Sequence, residues 1–164
     1  MASKDVSAGL MVFRRRGTAI EVLLAHPGGP FWAKKDAGAW TIPKGLVEGG
    51  DELLVTARHE FTEETGFVVD GPFTHLERVK QVSGKVVHAF ACEGDFDAEK
   101  LVSNSFEIEW PPRSKRVKRS PFARLSGQDS TFIKTASSKR LVFLAVMCMI
   151  NCCCCNRCGN AFPR

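Results

Sequence analysis

The chain has 164 residues, the size of one domain, so a single core with extensions has to carry whatever the protein does. Its 44% hydrophobic and 25% charged content is that of a globular chain and excludes disorder along the whole length. The net charge of +5 conceals two unlike parts: residues 1–112 hold 12 Lys/Arg against 17 Asp/Glu, whereas residues 113–164 hold 11 against Asp129 alone. An acidic body suits a site that gathers divalent cations, and a basic end suits nucleic acid, an anionic membrane or plain solvation.

In chain order, the amino-terminal stretch MASKDVSAGLMVF has no charged region leading into a long apolar run and no small-residue cleavage site. A cytoplasmic protein is therefore expected. Ser7 to Phe13 and Ile20 to His26 are short apolar runs, and Arg14-Arg15-Arg16-Gly17 lies between them, which predicts a β-hairpin with the arginines in its turn. Pro27 to Lys44 is dense in Gly and Pro and carries two of the three Trp residues. It reads as a structured loop of the ligand-binding kind, with a brief strand at Trp40-Thr41-Ile42. A helix is predicted over about Glu52 to Thr65, with Asp51 as N-cap, Gly66 as the left-handed stop, and Leu54, Ala57 and Phe61 as its core face. Phe73 to Val82 and Lys85 to Cys92 predict two more strands around Ser83-Gly84, followed by an acidic link from Glu93 to Asp97. Strands mixed with a helix give an α/β class. From Pro111 the pattern decays into Arg113-Ser114-Lys115-Arg116-Val117-Lys118-Arg119, and no periodicity returns before the apolar run Leu141 to Ile150.

The chemistry is concentrated in the helix. Glu60, Glu63 and Glu64 stand at i, i+3 and i+4, which puts three carboxylates within about 100° of one helix face. A solvated acidic face is the ordinary meaning of such a pattern. Here, however, Pro43-Lys44-Gly45 and Gly49-Gly50-Asp51 deliver a glycine-rich loop to the start of the same helix. Oxygen ligands of this kind suit magnesium, which binds through one or two carboxylates, retained waters and substrate phosphates.

The segment GLVEGGDELLVTARHEFTEETGF, Gly45 to Phe67, resembles the Nudix box, G-x5-E-x7-R-E-U-x-E-E-x-G-U, where U is a bulky apolar residue. Gly45, Glu60, Phe61, Glu63, Glu64, Gly66 and Phe67 match, whereas Asp51 stands for Glu and His59 for Arg. The resemblance covers about residues 6 to 114 and implies the Nudix fold, an α/β/α arrangement with a mixed β-sheet sandwiched between α-helices. A Nudix core over residues 1–114 is expected, in a family whose domain normally extends to about residue 145, followed by a basic and then Cys-rich tail over 115–164.

By the same resemblance, Glu60, Glu63 and Glu64 are the expected catalytic residues. Together with a backbone carbonyl near Lys44 or Gly45, they are the expected ligands of Mg2+, for which Mn2+ can substitute. Glu60 is the first choice as ligand and base, with Glu107 and Glu109 as candidates for a base supplied by a later loop. Lys44 is expected to touch phosphate. Trp32 and Trp40 are expected to bind substrate, with Phe31 and Trp110 as further flat surfaces for a base. Asp51, Arg58 and His59 are expected to brace the loop against the helix, less firmly than a Glu–Arg pair would. Arg14 to Arg16 could attract polyphosphate, although exposed arginines in a turn are ordinarily solvated.

The implied activity is magnesium-dependent cleavage of a phosphoanhydride bond in a nucleoside diphosphate linked to another group. The Trp-x-Ile-Pro-Lys-Gly lead-in, Trp40 to Gly45, is similar to that of diadenosine tetraphosphate hydrolases, which points to dinucleoside polyphosphates. Nucleoside triphosphates or damaged nucleotides are the alternative substrates, and a nucleotide sensor without turnover is the alternative class. The expected partner is a small nucleotide, with the oligomeric state open. Specific nucleic-acid binding is not expected, because no aromatic residue interleaves with the cations between Arg113 and Arg119. Leu141 to Ile150 is too short to span a bilayer, which takes about 20 residues. Six of the seven cysteines crowd between Cys148 and Cys158, with only Cys92 in the body, which is no disulfide framework. A zinc site, acylation, or a tail without a selected role all stay open for it.

Overall fold

The structure is a computed structural model, and it describes residues 6–34, 39–81, 84–97, 100–121, 123–124 and 132–135. Its centre is β1, Val6–Arg16. Along one edge β1 pairs in parallel with β6, Val86–Glu93, from Val6↔Val86 to Phe13↔Glu93. Its other partners are both antiparallel: β4, Lys44–Leu46, faces Ser7 to Gly9, and β2, Ala19–Leu23, faces Phe13 to Arg16. The outer strands are β5, Phe73–Lys80, beside β6, and β10, Phe132–Thr135, beside β2, giving the order β10-β2-β1-β6-β5. Two small pairs lie apart from this sheet: β3, His26–Pro27, with β9, Ala123–Arg124, and β7, Ser105–Glu109, with β8, Val117–Pro121.

The two faces of the sheet bury different side chains because a strand alternates with period two. Ala8, Leu10 and Val12 of β1 join Leu23, Phe90 and Cys92 beneath the helix, where they meet Ala57 and Phe61. Met11 joins Val22, Leu24, Ile42, Val87 and Ala89 on the opposite face, with Trp40 packed against them. The helix α1, Leu53–Thr65, thus lies over the strand that also holds β4. It is the one helix among the described residues, and with the mixed sheet it bears out the expected α/β class. The stretch Leu141 to Ile150 and the cysteine cluster lie outside the described residues.

Several local expectations are corrected. Arg14, Arg15 and Arg16 do not form a turn: they continue β1 opposite Ala19 to Glu21, and Gly17, at φ 61°, with Thr18 makes the two-residue turn. The arginines stay extended because they find acids on neighbouring strands and loops. Arg14 reaches Glu21 at 2.7 Å and Asp95 at 2.6 Å, Arg15 reaches Glu93 at 3.3 Å, and Arg16 reaches Asp95 at 3.4 Å. Asp51 is not the N-cap. Gly49 and Gly50 both have positive φ in a tight turn closed by the Asp51 N–H donating to the Glu48 carbonyl at 2.9 Å, which leaves Glu52 as the extended residue before the helix. Glu52 makes no side-chain cap bond. The brief strand at Trp40-Thr41-Ile42 reduces to one bridge, Ala25↔Thr41.

The basic stretch after Pro111 is ordered into a hairpin, which the sequence reading did not foresee. In β8 only Ser120 is buried, so no apolar alternation announces the strand. Residue 114, the expected limit of the core, stands in the turn between β7 and β8.

Phe61 is fully buried at the middle of the α1 interface. Phe61→Ala is expected to cost about 3–5 kcal/mol in urea unfolding. A loss below about 1 kcal/mol would show that α1 is not docked as described.

Candidate functional site

The site forms where β4 meets α1. Pairing with β1 fixes β4, and the buried Ala57 and Phe61 fix the face that α1 turns to the sheet. Glu60, Glu63 and Glu64 therefore emerge beside β4. The Glu60 carboxyl lies against the α-carbon of Gly45, in the space that any other side chain would occupy, since a β-carbon there would overlap it. Glu64 accepts a hydrogen bond from the Lys44 N–H at 3.3 Å. Glu63 leans instead toward His59, one turn back, at 3.6 Å.

Burial and crowding act on these acids together. The Glu64 carboxyl is pushed up to about 7, chiefly by burial, with repulsion from Glu60 and Glu63 added and the Lys44 charge and N–H opposing. Glu60 is also raised above the ordinary carboxylate range, by burial first and Glu63 second. Among the described residues, no three Asp, Glu, His or Cys side chains close into a metal cage. The three glutamates form an open array on Gly45, His59 and Lys44, the kind of oxygen-rich surface that leaves room for waters and phosphate around a hard cation.

The other expected site residues fall in several places. The Lys44 ammonium donates to the Thr41 hydroxyl at 3.2 Å, at the edge of the array. Asp51 and His59 line a cleft of about 580 Å³ with Leu46, Glu48, Val55, Thr56 and Glu60. His59 is paired with Glu63, and Arg58 turns away to Asp70 at 3.2 Å and over the Phe73 ring. Trp32 and Trp40 are half-buried ahead of β4, Trp40 edge-on to His26 at 5.3 Å. Glu109 is occupied in the β7–β8 turn, where its carboxylate accepts from the Lys115 N–H at 2.8 Å. Glu107 is exposed opposite Arg119.

Two features had no sequence signal. Phe31 and Trp110 meet edge to face at 4.7 Å across nearly eighty positions of chain. The segment leading into β7 is fastened to the carboxylate end of α1: the Val102 N–H donates to the Thr65 carbonyl at 3.0 Å and the Asn104 N–H to the Glu63 carbonyl at 2.9 Å. Gly66 permits this contact. It takes the left-handed stop at φ 77°, and a β-carbon there would lie 2.7 Å from the Val102 carbonyl oxygen.

A carboxyl that titrates near 7 when folded and near 4.5 when unfolded favours folding most at low pH, and that contribution is lost as pH rises through 7. In chelator, Glu64→Gln is therefore expected to be more stable than the parent at pH 8, with the difference shrinking towards pH 5. Thermal melts of both proteins across that range check it, and a difference of the opposite sign contradicts the burial of Glu64.

Comparison with known proteins agrees with this geometry. The family model described as NUDIX domain matches residues 3–116. The bis(5'-nucleosyl)-tetraphosphatase (asymmetrical) of Sus scrofa is 33% identical over 114 residues, which cover 62% of this chain and 74% of that protein. The RNA pyrophosphohydrolase of Caulobacter vibrioides is 33% identical over 79 residues, 45% of this chain and 42% of that one. Among solved structures, a MutT/nudix family protein from Enterococcus faecalis aligns at 16% identity with a TM-score of 0.53, covering 83% of this chain and 52% of that chain. The last match speaks for the fold alone. With its box on the β4–α1 junction and the family match over most of its length, the chain belongs to the NUDIX domain family, as a Nudix pyrophosphohydrolase.

Proposed function

We propose that the protein hydrolyses a phosphoanhydride bond of dinucleoside polyphosphates, using magnesium held by Glu60, Glu63, Glu64 and the Gly45 carbonyl. The observation that carries this is the seat of two acids on one strand, Glu60 on the bare α-carbon of Gly45 and Glu64 on the Lys44 N–H. Nudix enzymes generally use divalent metals, and an array made only of oxygen donors fits a hard cation such as magnesium, with manganese as a substitute. Bound there, magnesium neutralises phosphate charge and lowers the pKa of the attacking water. Glu60 serves as ligand and as proton acceptor for the attacking water. Lys44, whose ammonium reaches the edge of the array on a flexible stem, contacts phosphate, and Trp32 and Trp40 flank the base. The longer match, with the tetraphosphatase of Sus scrofa, favours dinucleoside polyphosphates over nucleoside triphosphates.

A panel of diadenosine tetraphosphate, nucleoside triphosphates, oxidised nucleotides and nucleotide sugars tests the reading, with magnesium and with chelator. Diadenosine tetraphosphate should be cleaved best, and the Glu63→Gln, Glu64→Gln variant should lose roughly 10²-fold or more. Folded protein that cleaves none of them would overturn the reading. Gly45→Ala should retain its melting temperature, because the Glu60 side chain can swing aside, yet lose turnover about 10-fold or more.

The weakened brace gives a separate expectation. His59 pairs with Glu63 and Arg58 with Asp70, so Asp51 has no cationic side chain as an ion-pair partner among the described residues. Asp51→Glu with His59→Arg should raise turnover. Unchanged rates in that double variant would show that the loop needs no such pair.

A further inference from the structure

We propose that residues 101–104 form a positioning strap for the carboxylate end of α1, and that closing the strap and loading the array with a divalent cation favour one another. This rests on the reading of Glu60, Glu63 and Glu64 as metal ligands. The last four carbonyls of a helix have no partner within it, so a terminal turn frays unless donors come from outside. In α1 local capping supplies one of them, the Gly66 N–H donating to the Thr62 carbonyl at 2.8 Å. A distant stretch of chain supplies two more: the Asn104 N–H donates to the Glu63 carbonyl at 2.9 Å and the Val102 N–H to the Thr65 carbonyl at 3.0 Å. The donors are two residues apart, the spacing at which an extended chain presents N–H groups to one side. Their acceptors are two residues apart in the opposite sense, so the strap runs back along the turn.

The strap reaches the acid that nothing else places. Glu60 and Glu64 are seated on β4, one against Gly45 and the other on the Lys44 N–H. The Glu63 carboxylate instead pairs with His59 in the same helix, and the tie of Glu63 beyond the helix, among the described residues, is the bond from Asn104. Ligating groups must be held to within about 0.5 Å, so a fraying turn would scatter the third acid. Burial contributes little to the attachment: Val102 is 72% exposed and Asn104 is exposed, which leaves the main-chain bonds to carry it. Gly66 makes room for it. A β-carbon there would fall 2.7 Å from the Val102 carbonyl oxygen and 3.3 Å from the Val102 β-carbon, so the residue that stops the helix also lets the strap lie against it.

The coupling has a size and runs both ways. Loss of a group that orients a metal ligand weakens metal affinity about 10- to 100-fold. If the closed strap raises the affinity of the array, a bound cation holds the strap closed by the same factor.

Hydrogen exchange in the full-length parent reads this coupling without turnover. The Val102 and Asn104 amides should be protected in chelator, and saturating magnesium should slow their exchange about 10-fold, more than that of the β5 amides. Magnesium titrations followed by thermal unfolding then compare Asn104→Pro, which removes the N–H, with Asn104→Ala, which keeps it. Asn104→Pro should need at least about 10-fold more magnesium for a given rise in melting temperature, and Asn104→Ala should match the parent. Stability in chelator is measured separately, because a purely structural strap would lower it and leave the magnesium dependence alone. If Asn104→Pro fails to fold, the exchange result in the parent decides. Magnesium that raises the parent's melting temperature but leaves the exchange of both amides unchanged would overturn the strap and spare the metal reading, as would equal magnesium dependence in all three proteins. No response to magnesium in the parent would overturn both.

Discussion

Three carboxylates on one turn of a helix repel one another, and the structure rests on how that repulsion is outweighed. Like charges at i, i+4 cost only about 0.2–0.5 kcal/mol on an exposed helix, whereas burying one aromatic side chain contributes about 1.5–3 kcal/mol. Phe61 and Ala57 are fully buried on the other side of the same turn, so apolar burial sets where Glu60, Glu63 and Glu64 must stand. The larger cost falls on Glu64, whose burial pushes its carboxyl up to about 7 although the Lys44 N–H and charge oppose the shift.

Everything around the array follows from the need to bring β4 close. Gly45 has no side chain where the Glu60 carboxyl lies, and pairing of β4 with β1 keeps that approach rigid. At the far end of the turn Gly66 reverses the chain and admits the segment that leads into β7. The same short stretch of helix thus positions the acids and fastens the base of the cationic hairpin.

The box was legible because it is local: Gly45, the helix, Gly66 and the three glutamates lie within one run of chain, and the core stripe through Ala57 and Phe61 has the helical period. The N-cap was misplaced by one residue because the sequence does not show that Gly49 and Gly50 both turn left-handed and consume Asp51 in the turn. Arg14 to Arg16 looked like a turn because two of the acids that hold them extended, Glu93 at the end of the neighbouring strand β6 and Asp95 just after it, lie 78 to 81 positions away along the chain. Strand β8 has no apolar alternation to read, since its stability comes from pairing with β7 and not from burial of a face. The meeting of Phe31 with Trp110 is a tertiary event that no local pattern reports.

The central claim is that the β4–α1 junction is built to hold a divalent cation, and thermal unfolding with and without magnesium tests it most directly. A ligand that binds the folded state alone stabilises it by RT ln(1 + [L]/Kd), so about 10 mM magnesium should raise the melting temperature of the parent protein. The same addition should leave a Glu60→Gln, Glu64→Gln variant unmoved. An equal shift in both proteins, or none in the parent, would contradict the account.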